Sequence, residues 1–265
     1  PKGWPDLYRR WREGGWNALS GPEEFGGQGL PVMINVAANE MWSAASMAFG
    51  LGPLLTMGAV EALDKHGSDD LKATYLEKLV SGEWMGTMNL TEPQAGSDLA
   101  ALRTRAERND DGSYRIFGQK IFITYGEHDF TDNIIHLVLA RLPDAPAGTR
   151  GISLFLVPKF LVGNDGALGA RNDIFCSGLE HKLGIHASPT CVMSYEGARA
   201  ELVGRPNEGL AHMFVMMNAA RLAVGVEGVG VAERAYQHAL AYALERRQGR
   251  SVWTGEQGAS IFDHP

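Results

Sequence analysis

Hydrophobic residues recur at helical spacing through the first third of the chain, and this pattern predicts four helical segments. They are residues 4–19, 32–49, 53–66 and 68–80. Between the last two, Gly67 is a stop signal and Ser68 an N-cap. The connection over 20–31 holds four glycines and two prolines, which favour an irregular path. Residues 1–82 are therefore predicted to form an N-terminal helical domain.

After residue 82 the period changes, and residues 83–204 have the pattern of short strands separated by turns. The predicted strands are 84–90, 102–107, 114–117, 120–124, 134–141, 152–158 and 191–195. The glycine-containing segment 159–173 has few large apolar residues and is predicted to be a surface excursion. Strands of this number without intervening helices predict a middle domain that is an antiparallel sandwich or barrel.

From Gly209 the helical period returns and persists to about residue 249, so residues 205–265 are predicted to begin a second helical domain. A helix of about forty residues is close to 60 Å long, so it must pack beyond its own domain or against another subunit. Gly225, Gly228 and Gly230 do not fit the dinucleotide-binding spacing and follow a helix instead of a strand. Close approach between helices is the favoured interpretation of these glycines.

Composition and charge limit the classes of partner that we expect for this chain. The chain has 265 residues, 45% of them hydrophobic, and a formal net charge of -7, which gives no electrostatic reason to expect nucleic acid or an anionic membrane as a partner. No uninterrupted apolar run approaches the roughly 18 residues of a membrane span, so none is expected. Cys176 and Cys191 lack metal-type spacing, so we expect no metal site and a reducing, cytoplasmic compartment. The absence of an initial Met suggests a piece of a longer protein.

Two strand ends carry the candidate chemistry. The first closes the stretch WMGTMNLTEPQAGSD at 84–98, and the second closes GQKIFITYG at 118–126. Backbone groups released from a strand ladder, together with Thr or Ser hydroxyls, supply donors and acceptors that can hold a flat polar ring edge-on. The alternative is a pair of ordinary strands, with a Pro-Gly turn after the first.

The order of helices, strands and a long helix, with the turn TEPQAGSD after the first strand, resembles the acyl-CoA dehydrogenase family. The resemblance covers nearly the whole chain. Its further motifs are PEEFGGQGL, HGSDDLKATYL, GQKIFIT and YALER. The pieces EHKLGIHASPTCVM and MMNAARLAVGVEG resemble the branch that includes 3-(methylthio)propanoyl-CoA dehydrogenases. The resemblance implies an α+β multidomain fold: an N-terminal helical domain, a central antiparallel β-domain and the start of a C-terminal helical bundle, with FAD and an acyl thioester between them.

The resemblance also implies which residues contact the flavin. The backbone groups of Met88, Leu90 and Thr91, and the Thr91 hydroxyl, would face its pyrimidine half. In the second strand, Phe122 would form a wall beside the ring. Thr124, together with its neighbour Ile123 in the GQKIFIT motif, would meet the N5 edge. The alternatives are a core aromatic for Phe122 and a turn-capping hydroxyl for Thr91.

Substrate and subunit contacts follow in the same way. Ser97 matches a serine that contacts the acyl-CoA, although a turn-capping role is the alternative, and Asn218 and Arg221 match residues near the thioester or the wall of the site. Arg246 matches an arginine that reaches the FAD of a neighbouring subunit, which implies a homodimer or homotetramer. The alternative for Arg246 is a solvated arginine on a surface helix.

The catalytic base is expected outside this sequence. Removal of the α-proton needs a positioned carboxylate, but the position before Arg221, which holds a Glu in some relatives, is Ala220. Glu227 lies two helical turns further on and is expected to be paired or solvated. We therefore expect the general-base Glu C-terminal to Pro265.

The resemblance implies an FAD-dependent dehydrogenase that forms a trans-2 double bond in an acyl-CoA and passes electrons to an electron-transfer flavoprotein. The expected substrate is a short-chain or 3-(methylthio)propanoyl thioester, and the expected setting is a bacterial cytoplasm, with the mitochondrial matrix as the alternative. Two other functions stay open. One is an acyl-CoA oxidase, in which O₂ reoxidises the flavin, and the other is a non-catalytic flavoprotein with a binding role.

Overall fold

A computed structural model describes residues 2–163 and 165–264. Its four α-helices are α1 (Trp4–Glu13), α2 (Val32–His66), α3 (Asp69–Ser81) and α4 (Gly209–Glu245). Its strands are β1 (Trp84–Asn89), β2 (Arg105–Arg108), β3 (Tyr114–Thr124), β4 (Asn133–Arg141), β5 (Ile152–Pro158), β6 (Phe160–Val162), β7 (Leu168–Arg171), β8 (Ile174–Leu179) and β9 (Thr190–Val203). Helices thus precede and follow a β-domain.

Helix α2 contains a sharp bend that the sequence pattern misplaced. Ser46 has non-helical angles, φ -162° and ψ 93°, whereas Pro53 lies inside the helix. A Cβ on Gly50 would lie 4.0 Å from the Asn39 side-chain oxygen, although eleven residues of straight helix span about 16 Å. The prediction of a break between residues 49 and 53 is therefore wrong. Proline follows the bend by seven residues and does not cause it.

Helices α2 and α4 are each apolar enough, by length and composition, to cross a membrane. The sequence-based expectation concerned only uninterrupted apolar runs, whereas the mean hydropathy of these helices stays high although polar residues interrupt each run. This criterion is weak evidence, since core helices of soluble proteins also meet it. In α2, 61% of the apolar window is buried inside the chain, against 17% in α4.

The β-domain is a mixed sheet organised around β4. One edge of β4 pairs with β1 in parallel and meets β2 at the Arg105–Arg141 bridge, and the other edge pairs antiparallel with β5. The antiparallel pairs β2–β3, β3–β9 and β9–β5 complete a closed ring. The barrel prediction is confirmed in this respect, but the purely antiparallel pairing is wrong. The long crossover between β1 and β4 permits this parallel pairing.

The hydrophobic pattern of the sequence did not predict three of the observed strands. The expected excursion at 159–173 contains the two-stranded sheet β6–β7, and β8 pairs with β9. All four residues of β7 are exposed, so no alternation of apolar and polar residues marked it. Strand β9 also extends over fourteen residues, beyond the predicted 191–195.

Two histidines lie in the β-domain as neutral groups: His136 is buried, and His128 is half-buried with both ring nitrogens out of contact with solvent. Burial, reinforced by the Lys159 charge, lowers the pKa of both His128 and His136 to about 3. The His136 Nδ1 atom lies 2.7 Å from the Thr87 hydroxyl, and the His128 ring stacks on Phe130 with centroids 4.1 Å apart. Because the unfolded chain protonates these rings near pH 6.5, it binds more protons than the folded chain below that pH.

We predict that stability falls as pH drops from about 6.5 towards 3. Each of these two histidines should lower the free energy of unfolding by about 2 kcal/mol at pH 5, so His128→Phe should lose about 2 kcal/mol less than the wild type between pH 7 and pH 5. Urea unfolding at both pH values measures the difference. The control is His181→Phe at an exposed histidine, which should keep the wild-type dependence on pH; equal losses in all three proteins would contradict the prediction.

Candidate functional site

The two predicted strand ends lie side by side. Thr91 lies two residues beyond the end of β1, and its carbonyl accepts a hydrogen bond of 2.9 Å from the Ile121 N–H in β3. The Lys120 Nζ donates to the Leu90 carbonyl at 2.9 Å. These two contacts bring the segments 88–91 and 120–124 together.

A buried ion pair fixes this junction. The Lys120 Nζ lies 2.8 Å from Glu92 Oε1, and the two side chains are 0% and 3% exposed. Glu92 also accepts the backbone N–H groups of Arg103 at 2.8 Å and Thr104 at 3.0 Å. Burial raises the pKa of the Glu92 carboxyl, but Lys120 and the N–H donors outweigh it and bring the value to about 2. Burial lowers the pKa of Lys120 to about 8 against the opposing effect of Glu92, so both groups are charged at neutral pH.

One backbone donor beside this pair is free. Among the described residues the Thr91 N–H has no hydrogen-bond acceptor, and the Thr91 side chain is half-buried. Met88 is half-buried in β1 and pairs with Leu137 of β4. The strand end thus offers an unused donor at the place where the flavin edge was expected.

Phe122 is held in an unusual backbone conformation. Its φ is +61°, and the register of β3 against β9 shifts between Lys120 and Ile123, which marks a β-bulge. A bulky residue in the left-handed region is strained, and such strain collects at functional sites. The ring is 58% exposed, so the core-aromatic alternative is wrong.

The bulge separates the roles of the next two residues. Ile123 is buried among the apolar side chains of the barrel, so its side chain cannot contact a cofactor and only its backbone is available. Thr124 is half-buried and pairs with Thr190 of β9. A ring placed against Phe122 would therefore meet the Thr124 end of β3 and the free Thr91 amide.

The remaining predicted residues lie on other elements. Ser97 is exposed on the loop after β1, whose turn is closed by reciprocal backbone bonds between Glu92 and Ala95. Asn218 and Arg221 are exposed on α4 and hydrogen-bonded to each other at 3.1 Å. Arg246 is exposed just beyond α4. Within the described ranges no hydrogen bond joins Ser97 or these α4 residues to the strand ends.

Glu227 differs from its expectation of being paired or solvated. It is 5% exposed, its Oε1 has no partner among the described residues, and burial raises its pKa. The cause is packing of α4 on α2: a Cβ on Gly230, one turn later, would lie 2.7 Å from the Glu40 carbonyl oxygen. The spacing of Met216, Glu227 and Gly230 along one face of α4 was the signal that could have shown this burial.

We predict that Glu92→Gln lowers the free energy of unfolding by about 3–5 kcal/mol, because it leaves the Lys120 ammonium buried without a counter-charge. Chemical denaturation at pH 7 measures the change. The matched control is Glu83→Gln, whose Lys78 partner is 2.6 Å away but partly exposed, and the expected loss there is below about 1 kcal/mol. Equal losses in the two variants would contradict the prediction.

Comparisons with known proteins agree with this architecture. Residues 2–83 match the family described as acyl-CoA dehydrogenase, N-terminal domain, and residues 87–198 match acyl-CoA dehydrogenase, middle domain. The chain is 57% identical to 3-methylmercaptopropionyl-CoA dehydrogenase of Ruegeria pomeroyi, covering 100% of this chain and 45% of the relative. It is 42% identical to a butyryl-CoA dehydrogenase of Syntrophomonas wolfei, covering 88% and 39%.

A solved structure shows the same fold. The acyl-CoA dehydrogenase of Bacillus anthracis, complexed with FAD, superimposes with a TM-score of 0.78 at 29% identity, over 92% of this chain and 40% of that chain. The chain thus spans less than half the length of these relatives. With both domain descriptions matched in order, and with the helical, barrel and long-helix regions observed, the chain belongs to the acyl-CoA dehydrogenase family.

Proposed function

We propose that this chain carries the flavin-binding part of an FAD-dependent acyl-CoA dehydrogenase. The observation that supports the proposal is the junction of the two strand ends, where a free amide, a hydroxyl and a strained, exposed aromatic ring lie together. The FAD bound by the Bacillus anthracis relative gives independent support. An ordinary pair of strands has no need for a bulky residue at φ +61°.

The residues present fit a flavin. The Thr91 N–H and hydroxyl would hold the pyrimidine edge, with the backbone at Met88 and Leu90 beside them, while Phe122 would cover one face and Thr124 the N5 edge. Bound FAD supplies the hydride acceptor for the β-hydrogen of an acyl thioester. Donors fixed at the edge where negative charge develops favour the reduced state.

The substrate is proposed to be 3-(methylthio)propanoyl-CoA, the thioester named in the Ruegeria relative at 57% identity. The exposed Ser97 hydroxyl and the Asn218–Arg221 pair would contact the acyl-CoA. The general base is proposed to lie in sequence beyond these 265 residues, since Ala220 offers no carboxylate and Glu227 faces α2.

We also propose that this chain packs against further protein. Apolar side chains of α4 stay exposed within this chain, among them Leu222, Val224, Val229, Tyr236 and Tyr242. Such an exposed apolar surface favours further protein packing, consistent with a homodimer or homotetramer in which Arg246 reaches a neighbouring FAD. An electron-transfer flavoprotein is proposed as the electron acceptor, in the cytoplasm of a bacterium.

The intact protein should purify with FAD. In the absence of oxygen, 3-(methylthio)propanoyl-CoA should bleach the visible absorbance of the oxidised flavin, because the flavin accepts a hydride. Butanoyl-CoA is the comparison substrate and should reduce the flavin more slowly. Stopped-flow spectroscopy measures both rates. Failure to bind FAD would overturn the proposal, and a faster reaction with butanoyl-CoA would overturn the substrate assignment.

Replacement of Phe122 should separate stability from flavin binding. Asn tolerates positive φ, so Phe122→Asn should leave the free energy of unfolding of the flavin-free protein unchanged or raise it by up to about 1 kcal/mol. Loss of the aromatic wall should weaken FAD binding at least about tenfold, which corresponds to about 1.4 kcal/mol. Phe262→Asn, at an equally exposed ring, is the control and should bind FAD normally. Unchanged FAD affinity in Phe122→Asn would contradict this role.

A further inference from the structure

Lys120 contacts the peptide unit that carries the free donor. Its ammonium donates to the Leu90 carbonyl oxygen at 2.9 Å, and that carbonyl belongs to the same peptide unit as the Thr91 N–H. The N–H has no acceptor among the described residues. One end of this peptide is therefore bound to a buried charge, and the other end is open to a ligand.

A charged donor on a carbonyl changes the opposite end of the peptide. Hydrogen bonds in a chain polarise one another, and those with an ionised partner are the stronger ones. Because the Lys120 side chain is 0% exposed, water does not screen its charge from the peptide. The Thr91 N–H is consequently a better donor than an ordinary backbone amide.

The surroundings preserve this arrangement. Glu92 is the one acidic group paired with Lys120 in the described chain, and it is itself held by the N–H groups of Arg103 and Thr104. The Thr91 carbonyl is fixed in turn by Ile121 N–H. The polarised amide is thus held at a constant orientation, which is what a tuning group for a bound ring requires.

We propose that Lys120 is a positioning residue that raises the reduction potential of the flavin by polarising the Leu90–Thr91 peptide. This inference rests on the proposed function, because it takes the Thr91 N–H to face the pyrimidine half of FAD. Reduction places negative charge there, so a stronger donor stabilises reduced flavin more than oxidised flavin.

The test is the midpoint potential of the intact flavoprotein, measured by dye-coupled reduction at pH 7. Lys120→Met should shift the ratio of oxidised to reduced flavin about tenfold at a given potential, which is a fall of about 30 mV for a two-electron couple. Lys120→Arg, which keeps the charge, should recover most of the shift. FAD affinity should fall more for the reduced than for the oxidised state.

Lys159→Met is the matched control. Lys159 is also buried, pairs with Glu127 and donates to a backbone carbonyl, that of His128, at 2.8 Å. Its peptide is not at the strand ends, so the potential should stay at the wild-type value. A merely structural role for Lys120 would weaken FAD equally in both redox states and leave the potential unchanged.

The Glu92→Gln/Lys120→Met double variant serves if Lys120→Met does not fold, because it leaves no unpaired buried charge. It should show the same fall in potential. A wild-type potential in a folded, FAD-containing Lys120→Met or double variant would overturn the inference while leaving the proposed function intact. If the wild-type protein binds no FAD, the proposed function itself fails.

Discussion

The buried ion pair between Lys120 and Glu92 is the constraint on which the strand-end junction depends. Both charges lie out of contact with water, so each must be satisfied by the protein. Lys120 reaches back to β1 through the Leu90 carbonyl, and Glu92 gathers two backbone N–H groups from the start of the next segment. One pair of side chains therefore fixes β1, β3 and the loop between them.

The strain at Phe122 is sustained by that junction and by the barrel. Residues on either side of the bulge are anchored, Lys120 in the ion pair and Ile123 in the barrel core. With both neighbours held, the backbone at Phe122 cannot relax to negative φ without breaking buried contacts. The exposed ring is thus a product of the same packing that orders the Thr91 amide, and the two form one site.

The packing of the two long helices, α2 and α4, is a second constraint on the structure. Helix α4 packs along α2, with Met216 beside Gly58 and Gly230 against the backbone of Glu40 and Ala44, so the two helices run antiparallel. This packing buries the Glu227 carboxyl, whose Oε1 has no hydrogen-bond partner in the part of the chain that the structure describes. Other faces of α4 retain exposed apolar side chains, which accords with relatives more than twice the length of this chain.

Periodicity and turn chemistry by themselves determined the helical start, the Ser68 cap, strands such as β4 and β5, and the long final helix. They succeeded because these elements bury one face or two faces against the core, and burial leaves a local record in the sequence. The strand ends at Leu90–Thr91 and Phe122–Thr124 were also found from their residue types. Their assignment to a flavin came from the family resemblance and stays a prediction.

Only the tertiary structure decided the parallel pairing of β1 with β4, the bend at Ser46, the strands β6 to β8 and the burial of Glu227. It also showed that Lys120 and Glu92, 28 residues apart, form a pair. A lysine in a strand and a glutamate in a turn look solvent-exposed in sequence. Whether water is excluded from them depends on which distant segments the barrel brings together, and no local pattern records that.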